Sequence, residues 1–255
     1  MKIANYLIKP FFSILVISSF SLVINAQEIS AVIEDIIVTA EKRTESLQDL
    51  SQAVTVLTSD DLDKKQISTF VDISAIAPGV NVAKNEGFKT VITIRGVGYE
   101  TNQNAIATPS VSYHLDGIYI ASPYSLQTEF MDLERIEVLR GPQGTLFGQN
   151  STGGAINVIT SAPSLEESSS YGDITIGDYS LIKTRASFNR PLSETLAVRA
   201  SFITHKRDGF TDNLSTGQDL DDADSISARV RFLYQPSETF LSLIHISEPT
   251  RPVPI

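Results

Sequence analysis

The sequence predicts an α+β domain over residues 50–165, followed by the start of an antiparallel transmembrane β-barrel over residues 166–240. Three observations lead there. Between Leu50 and Pro163, short β-branched runs are separated by turn residues and two helix-start patterns. From Gly141 to Gly154, five glycines fall within fourteen residues, between two strand-like runs. From Tyr171 onward, apolar and polar side chains alternate in segments of about ten residues, as in strands with one face toward lipid and one toward a lumen. A soluble antiparallel sheet alternates in the same way, so these segments alone leave both readings open.

The elements follow in order. Residues 1–26 carry Lys2 and Lys9 ahead of an apolar run, Phe11 to Ile24, which is short for a membrane span and ends near the small residue Ala26. This predicts a secretory signal peptide, removed after Ala26. In residues 27–49, Ile36-Ile37-Val38-Thr39 is a short extended run flanked by charge. Val54 to Leu57 is a strand. Ser59-Asp60-Asp61-Leu62 offers a helix N-cap, and Thr69 to Ile76 is a second helix closed by Pro78-Gly79. Val80 to Val82 is extended. Thr90 to Ile94 is a β-branched strand that meets a turn at Arg95-Gly96. Val111 to Ile120 alternates around Asp116-Gly117, a hairpin signal. Ile136 to Leu139 and Ala155 to Ile159 are strands on either side of the glycine-rich stretch, whose glycines predict repeated tight turns with φ > 0.

Beyond Pro163, Tyr171–Gly177, Leu181–Asn189, Leu196–His205 and Ile226–Tyr234 read as strands, with Arg185, Arg199, Arg229 and Arg231 at alternating positions. Asn189 to Ser193 and Gln235-Pro236-Ser237 read as short turns; Asp208 to Asp224 reads as a long acidic loop. Leu241 to Arg251 departs from this pattern. It resembles the translation of a transposase adapter used in sequencing libraries, so residues 241–255 are expected to be a non-native tail without functional weight.

Composition and motifs exclude several chemistries. The formal charge of −10 and pI near 4.8 argue against nucleic acid as a partner. The chain has no cysteine, hence no disulfide framework or thiolate metal site. No glycine of the rich stretch is followed by lysine, as a phosphate-binding loop requires. Gly96-Val97-Gly98 begins a dinucleotide fingerprint, but its third position is Thr101. Ser180 to Lys183 matches SxxK without the downstream motifs of that enzyme class. His114, His205 and His245 have no partners at metal-ligand spacing, and Ala223 breaks the calcium-loop pattern among Asp219, Asp221, Asp222 and Asp224. No catalytic residue, metal site or cofactor is predicted, and the chain is not expected to be an enzyme.

Three segments carry a family resemblance. Ile94-Arg95-Gly96-Val97-Gly98, Asp116-Gly117-Ile118-Tyr119-Ile120 and the run from Leu139 to Asn157 stand in the order in which plug domains of TonB-dependent outer-membrane receptors carry IRGVG, VDGVYI and LRGPQGTLFGRNAxGGAIN. Gln149 and Ser151-Thr152 are local variants. The resemblance spans roughly residues 35–163 and implies that Arg95, Gly96, Asp116, Gly117, Arg140, Gly141, Pro142, Gly144, Gly148, Gly153 and Gly154 are plug motif residues. Asp35, Ile36, Ile37, Val38, Thr39 and Ala40 resemble a TonB box, a peptide that adds as a strand to the periplasmic protein TonB. The implied protein sits in the outer membrane of a Gram-negative bacterium, is driven by TonB and its inner-membrane motor, and imports a scarce small ligand, most commonly a ferric siderophore. A receptor for cobalamin or an oligosaccharide, or a periplasmic plug-like module without transport, are the alternatives. Receptors of this family close about twenty-two strands around the plug. Four strands and the start of a fifth cannot close, so the chain is expected to be an N-terminal fragment of a receptor, its barrel truncated.

Overall fold

The computed structural model describes residues 37–38, 45–46, 52–85, 89–98, 108–122, 126, 129–214, 217 and 219–250. They lie in one compact unit, Asp35–Ile255. The predicted signal peptide falls outside the described residues. In chain order, β1 (Ile37–Val38) and β2 (Glu45–Ser46) pair antiparallel and precede β3 (Val54–Thr58). α1 (Ser59–Lys64) and α2 (Phe70–Ile73) follow, then β4 (Val80–Asn85), β5 (Lys89–Ile94) and β6 (Val97–Gly98). The domain closes with β7 (Val111–Leu115), β8 (Ile118–Tyr119), β9 (Leu133–Arg140), α3 (Gly144–Phe147) and β10 (Gly154–Thr160). The second part comprises β11 (Ser169–Gly177), β12 (Leu181–Ser193), β13 (Leu196–Arg207), β14 (Thr211–Asp212), β15 (Asp219–Leu220), β16 (Ala223–Ser237) and β17 (Phe240–Thr250).

The first domain is built on a mixed sheet of order β3-β9-β10-β7-β8, in which β7 and β10 run parallel. Strand alternation sends Ile136, Val138, Ile156, Val158 and Tyr113 to one face, where they pack with Leu57, Leu62, Phe70 and Ile73. Phe70 meets Tyr113 and Phe130 edge-on, each with ring centroids 4.8 Å apart. Side chains of this size contribute about 1.5–3 kcal/mol each when fully buried, so this face supplies most of the domain's cohesion. The opposite face carries Leu139, Ala155 and Phe147, beside a fully buried Glu137. Arg135 Nε donates to Glu137 at 2.8 Å and Asn157 Nδ2 donates at 3.1 Å, which satisfies the carboxylate away from water.

The first helix starts one residue earlier than predicted. Thr58, in extended conformation, is the N-cap; its Oγ1 accepts from the Asp61 N–H, while the Asp61 carboxylate accepts from the Thr58 N–H at 3.2 Å. At α2 the Asp72 carboxylate likewise accepts from the Thr69 N–H at 2.8 Å and also from its Oγ1 at 2.9 Å. That helix is shorter than predicted and passes into turns before Pro78-Gly79.

The second part is an open antiparallel sheet of order β11-β12-β13-β16-β17; the described strands close no barrel. Both proposed proline-containing turns are corrected. β12 runs through Pro191 to Ser193 and turns at 194–195; β16 runs through Pro236 to Ser237 and turns at 238–239. The ladder register shifts at Pro191/Ser193 and at Tyr234/Ser237. A proline cannot donate to the ladder, and these irregularities are where a strand tolerates one. The acidic loop contains a small hairpin, β14 with β15. β17 pairs with β16 as far as Thr250, so the backbone continues the sheet where the sequence pattern was expected to stop; residues 251–255 lie outside the described ones.

Alternation also gives this sheet two unlike faces. Ile174, Ile176, Ile182, Phe188, Phe202, Ile226, Ile244 and Ile246 are exposed on one. Register places Lys183 opposite His205, Arg185 opposite Asp173 and Ile203, Ser187 opposite Ser201, and Arg199 opposite Arg231 on the other. That polar face receives the first domain.

Candidate functional site

The predicted motif residues are mostly architectural. Arg95 (φ 53°) and Gly96 (φ 77°) form the two-residue turn between β5 and β6; Asp116 (φ 49°) and Gly117 (φ 81°) form the turn between β7 and β8. Two successive left-handed residues match the twist of the flanking strands, which is why glycine stands second in each pair. Asp116 also reaches across the sheet: its carboxylate accepts from the Thr160 N–H and Oγ1, both at 2.8 Å.

The glycines of the rich stretch divide by role. Gly141 and Gly148 take positive φ (94° and 78°). Gly144 opens α3 and Gly153 is held by space: a Cβ there would lie 2.9 Å from the Val97 carbonyl oxygen. Gly154 needs both freedoms, with φ 150° and a would-be Cβ only 2.4 Å from the Leu139 carbonyl oxygen. The expectation of positive φ throughout is therefore corrected for Gly144 and Gly153. Pro142 is exposed between Gly141 and Gln143, and Gln143 N–H donates to the Ser151 carbonyl at 2.8 Å. Arg140 is tied to β3, its N–H to the Ala53 carbonyl at 3.1 Å and its Nη2 to Thr55 Oγ1. Gly153 N–H donates to the Ser110 carbonyl at 2.8 Å and Gly141 N–H to the Gly153 carbonyl at 3.1 Å, which draws the third motif toward β7.

Of the proposed box, Ile37 and Val38 form β1, opposite Ser46 and Glu45. Asp35, Ile36, Thr39 and Ala40 lie outside the described residues.

The residues that join the two parts were not foreseen. Glu129 and Asp132, just ahead of β9, face the polar side of the second sheet. Lys183 Nζ pairs with Glu129 at 2.8 Å, and His205 Nδ1 with its other oxygen. Arg199 donates to Asp132 through Nε at 2.6 Å and Nη2 at 2.5 Å, a two-point contact joined by Ser201 Oγ. Burial alone would push both carboxyls up. Hydrogen bonds from His205 and Lys183 outweigh it for Glu129, and those from Arg199 and Ser201 for Asp132, so both are held below their ordinary range. Arg229 donates to the Met131 carbonyl at 2.9 Å, and Arg231 to the Thr160 and Ser161 carbonyls at 2.8 Å each. Asn189 binds residues 164–167, where the chain leaves the first domain. A cavity of about 230 Å³ lies beside these contacts, lined by Leu62, Phe130, Tyr171, Arg185 and Arg199 among others. Among the described residues, no three His, Asp or Glu side chains gather as a metal site. Two acids three apart ahead of a strand, together with a basic row at alternating positions downstream, were the readable signal.

An α+β domain seated on the polar face of an open antiparallel sheet, whose other face is apolar, is the arrangement of a plug against part of a barrel wall. Residues 46–155 match the TonB-dependent receptor plug domain family. The chain belongs to the TonB-dependent receptors, of which it carries the plug domain and adjoining strands of the barrel wall. It is 31% identical over 204 residues to the pesticin receptor of Yersinia pestis, a match covering 76% of this chain and 29% of that protein. It is 28% identical over 208 residues to the ferric enterobactin receptor PirA of Pseudomonas aeruginosa, covering 71% and 27%. The crystal structure of the ferric yersiniabactin uptake receptor FyuA of Yersinia pestis shares the fold, with a TM-score of 0.64 and 24% identity over 73% of this chain and 29% of that one. The chain thus spans under a third of these relatives' length.

Proposed function

We propose that this chain is the exported N-terminal part of an outer-membrane transporter of a Gram-negative bacterium. The complete protein binds a ferric siderophore from outside and imports it when TonB engages Asp35 to Ala40. One observation carries the reading: the plug is seated by largely shielded ion pairs on the polar face of a sheet whose opposite face exposes Ile174, Ile176 and Phe188. A periplasmic module without transport has no use for that apolar face. The siderophore assignment is supported by the similarity to the ferric enterobactin receptor. The short ladder at Ile37–Val38 supports strand addition, because the segment already takes an extended, paired conformation.

Uptake in iron-starved cells lacking the receptor tests the function. Restoring the full-length gene returns accumulation of a radiolabelled ferric siderophore. Accumulation of labelled cobalamin or oligosaccharide in its place overturns the ligand class, and binding without accumulation overturns transport. Export is tested separately: mass spectrometry of the outer-membrane protein finds an N-terminus at Gln27, and a retained Met1 contradicts cleavage after Ala26.

A further inference from the structure

We infer that Asp132 is the positioning residue that fixes the plug in its seat, gripped by Arg199 and Ser201 of the barrel wall. The inference rests on the plug and the wall belonging to one receptor, not on the ligand or on the TonB box.

The plug sheet supplies one half of the grip. β9 starts at Leu133 and β10 ends at Thr160, and these two residues are register partners. The segments 129–132 and 160–161 therefore meet at one end of the plug's two central strands. Ser161 N–H donates to the Asp132 carbonyl at 3.0 Å, which closes that end. Asp132 itself is left-handed (φ 50°), a conformation that aspartate tolerates better than most residues.

The wall supplies the other half. Arg199 and Arg231 are register partners on neighbouring strands, so two cations stand side by side. Asp132 accepts from Arg199, while Arg231 turns to the Thr160 and Ser161 carbonyls. Glu129 adds a second acidic contact to Lys183 and His205. Side-chain exposure is 11% at Asp132 and 17% at Arg199. The Asp63–Arg185 pair, a contact from α1, is far more open at 46% and 30%, and exposed pairs hold little. The plug is thus clamped at the 132/161 end of its sheet, while the glycine-rich loop 140–154 lies at the opposite end.

A plug released from this clamp no longer seals the pore. The test uses the full-length receptor in the outer membrane of cells lacking TonB, so transport plays no part, with vancomycin sensitivity as the probe. Asp132→Asn keeps the shape and the left-handed tolerance but removes the charge. It lowers the inhibitory concentration at least about tenfold, because Arg199 and Ser201 lose the charged partner that holds the plug. Arg199→Met does the same, and the double variant leaks no more than either single one. The chain has no native cysteine, so Asp132→Cys/Ser201→Cys offers a charge-free replacement of the clamp. It is tight when oxidised to a disulfide and leaky after reduction with dithiothreitol. Should Asp132→Asn fail to reach the membrane by immunoblot, this cysteine pair decides between a clamped and a free plug. A tight Asp132→Asn receptor, additive leaks, or a cysteine pair indifferent to reduction overturns the inference. Failure of the transport reading looks different: uptake is lost while the seal stays intact.

Discussion

Gly154 and Gly144 stand ten residues apart in one motif yet answer to different physics. At Gly154 a side chain would meet the Leu139 carbonyl oxygen and Ile94 in a backbone with φ 150°. Gly154→Ala should lower the stability of the refolded receptor by about 3 kcal/mol, the sum of overpacking and backbone strain. Gly144 has open space and opens a helical turn, so Gly144→Ala should stay within about 0.5 kcal/mol of the parent. Urea unfolding of both variants checks the contrast. The glycine count was legible in the sequence. Which glycines serve turns and which serve close packing was not, because that depends on strands distant in the chain. The cap of α1 is a local matter instead: Ser59 was the expected cap, and Asp61, three residues after Thr58, selects Thr58. Titration also belongs to this scale. Asp132 and Glu129 are depressed relative to ordinary values of 3.8 and 4.5, so their contribution is complete above that range and is lost as pH falls through the folded values. The difference in melting temperature between parent and Asp132→Asn should therefore be flat from pH 7 to about pH 5 and shrink in stronger acid. A difference that grows on acidification contradicts the assigned sign.

Strands and hairpins were the most legible elements, because their periods are local. β7–β8 and the cores of β11, β12, β13 and β16 stand where alternation placed them. Their ends were misjudged at Pro191 and Pro236, since a proline reads as a turn unless a bulge is known to receive it. The tie between elements was harder still. Asp116 was read as a turn residue, yet it also holds the end of β10 through Thr160, forty-four residues away. Asp116→Ala leaves the Thr160 N–H and hydroxyl without that acceptor and should cost about 1–3 kcal/mol. Asp116→Asn, which keeps one acceptor oxygen and the left-handed turn, should cost less. Equal losses for the two, measured by urea unfolding, would contradict this, because Asn keeps both the turn and an acceptor for Thr160.

For the molecule as a whole, the class of architecture was legible from three short motifs and a change of period, and similarity to known receptors agrees with it. The seat between plug and wall was not, because Glu129, Asp132, Lys183, Arg199 and His205 gain meaning only when sheets far apart in sequence face each other. On the proposed function this seat is the fixed part of a transporter, and the Asp35–Ala40 segment is the part TonB pulls. Ile37→Pro in the full-length receptor separates the two: it removes a backbone donor from the strand that TonB would extend while leaving the plug and its seat untouched. The decisive measurement is paired: radiolabelled ferric siderophore bound to cells in the cold, then accumulated on warming. Coupling through this strand predicts parental binding with accumulation lost, and Val38→Ala close to parental in both. Normal accumulation in Ile37→Pro contradicts such coupling, and loss of binding as well makes the segment a structural part of the plug.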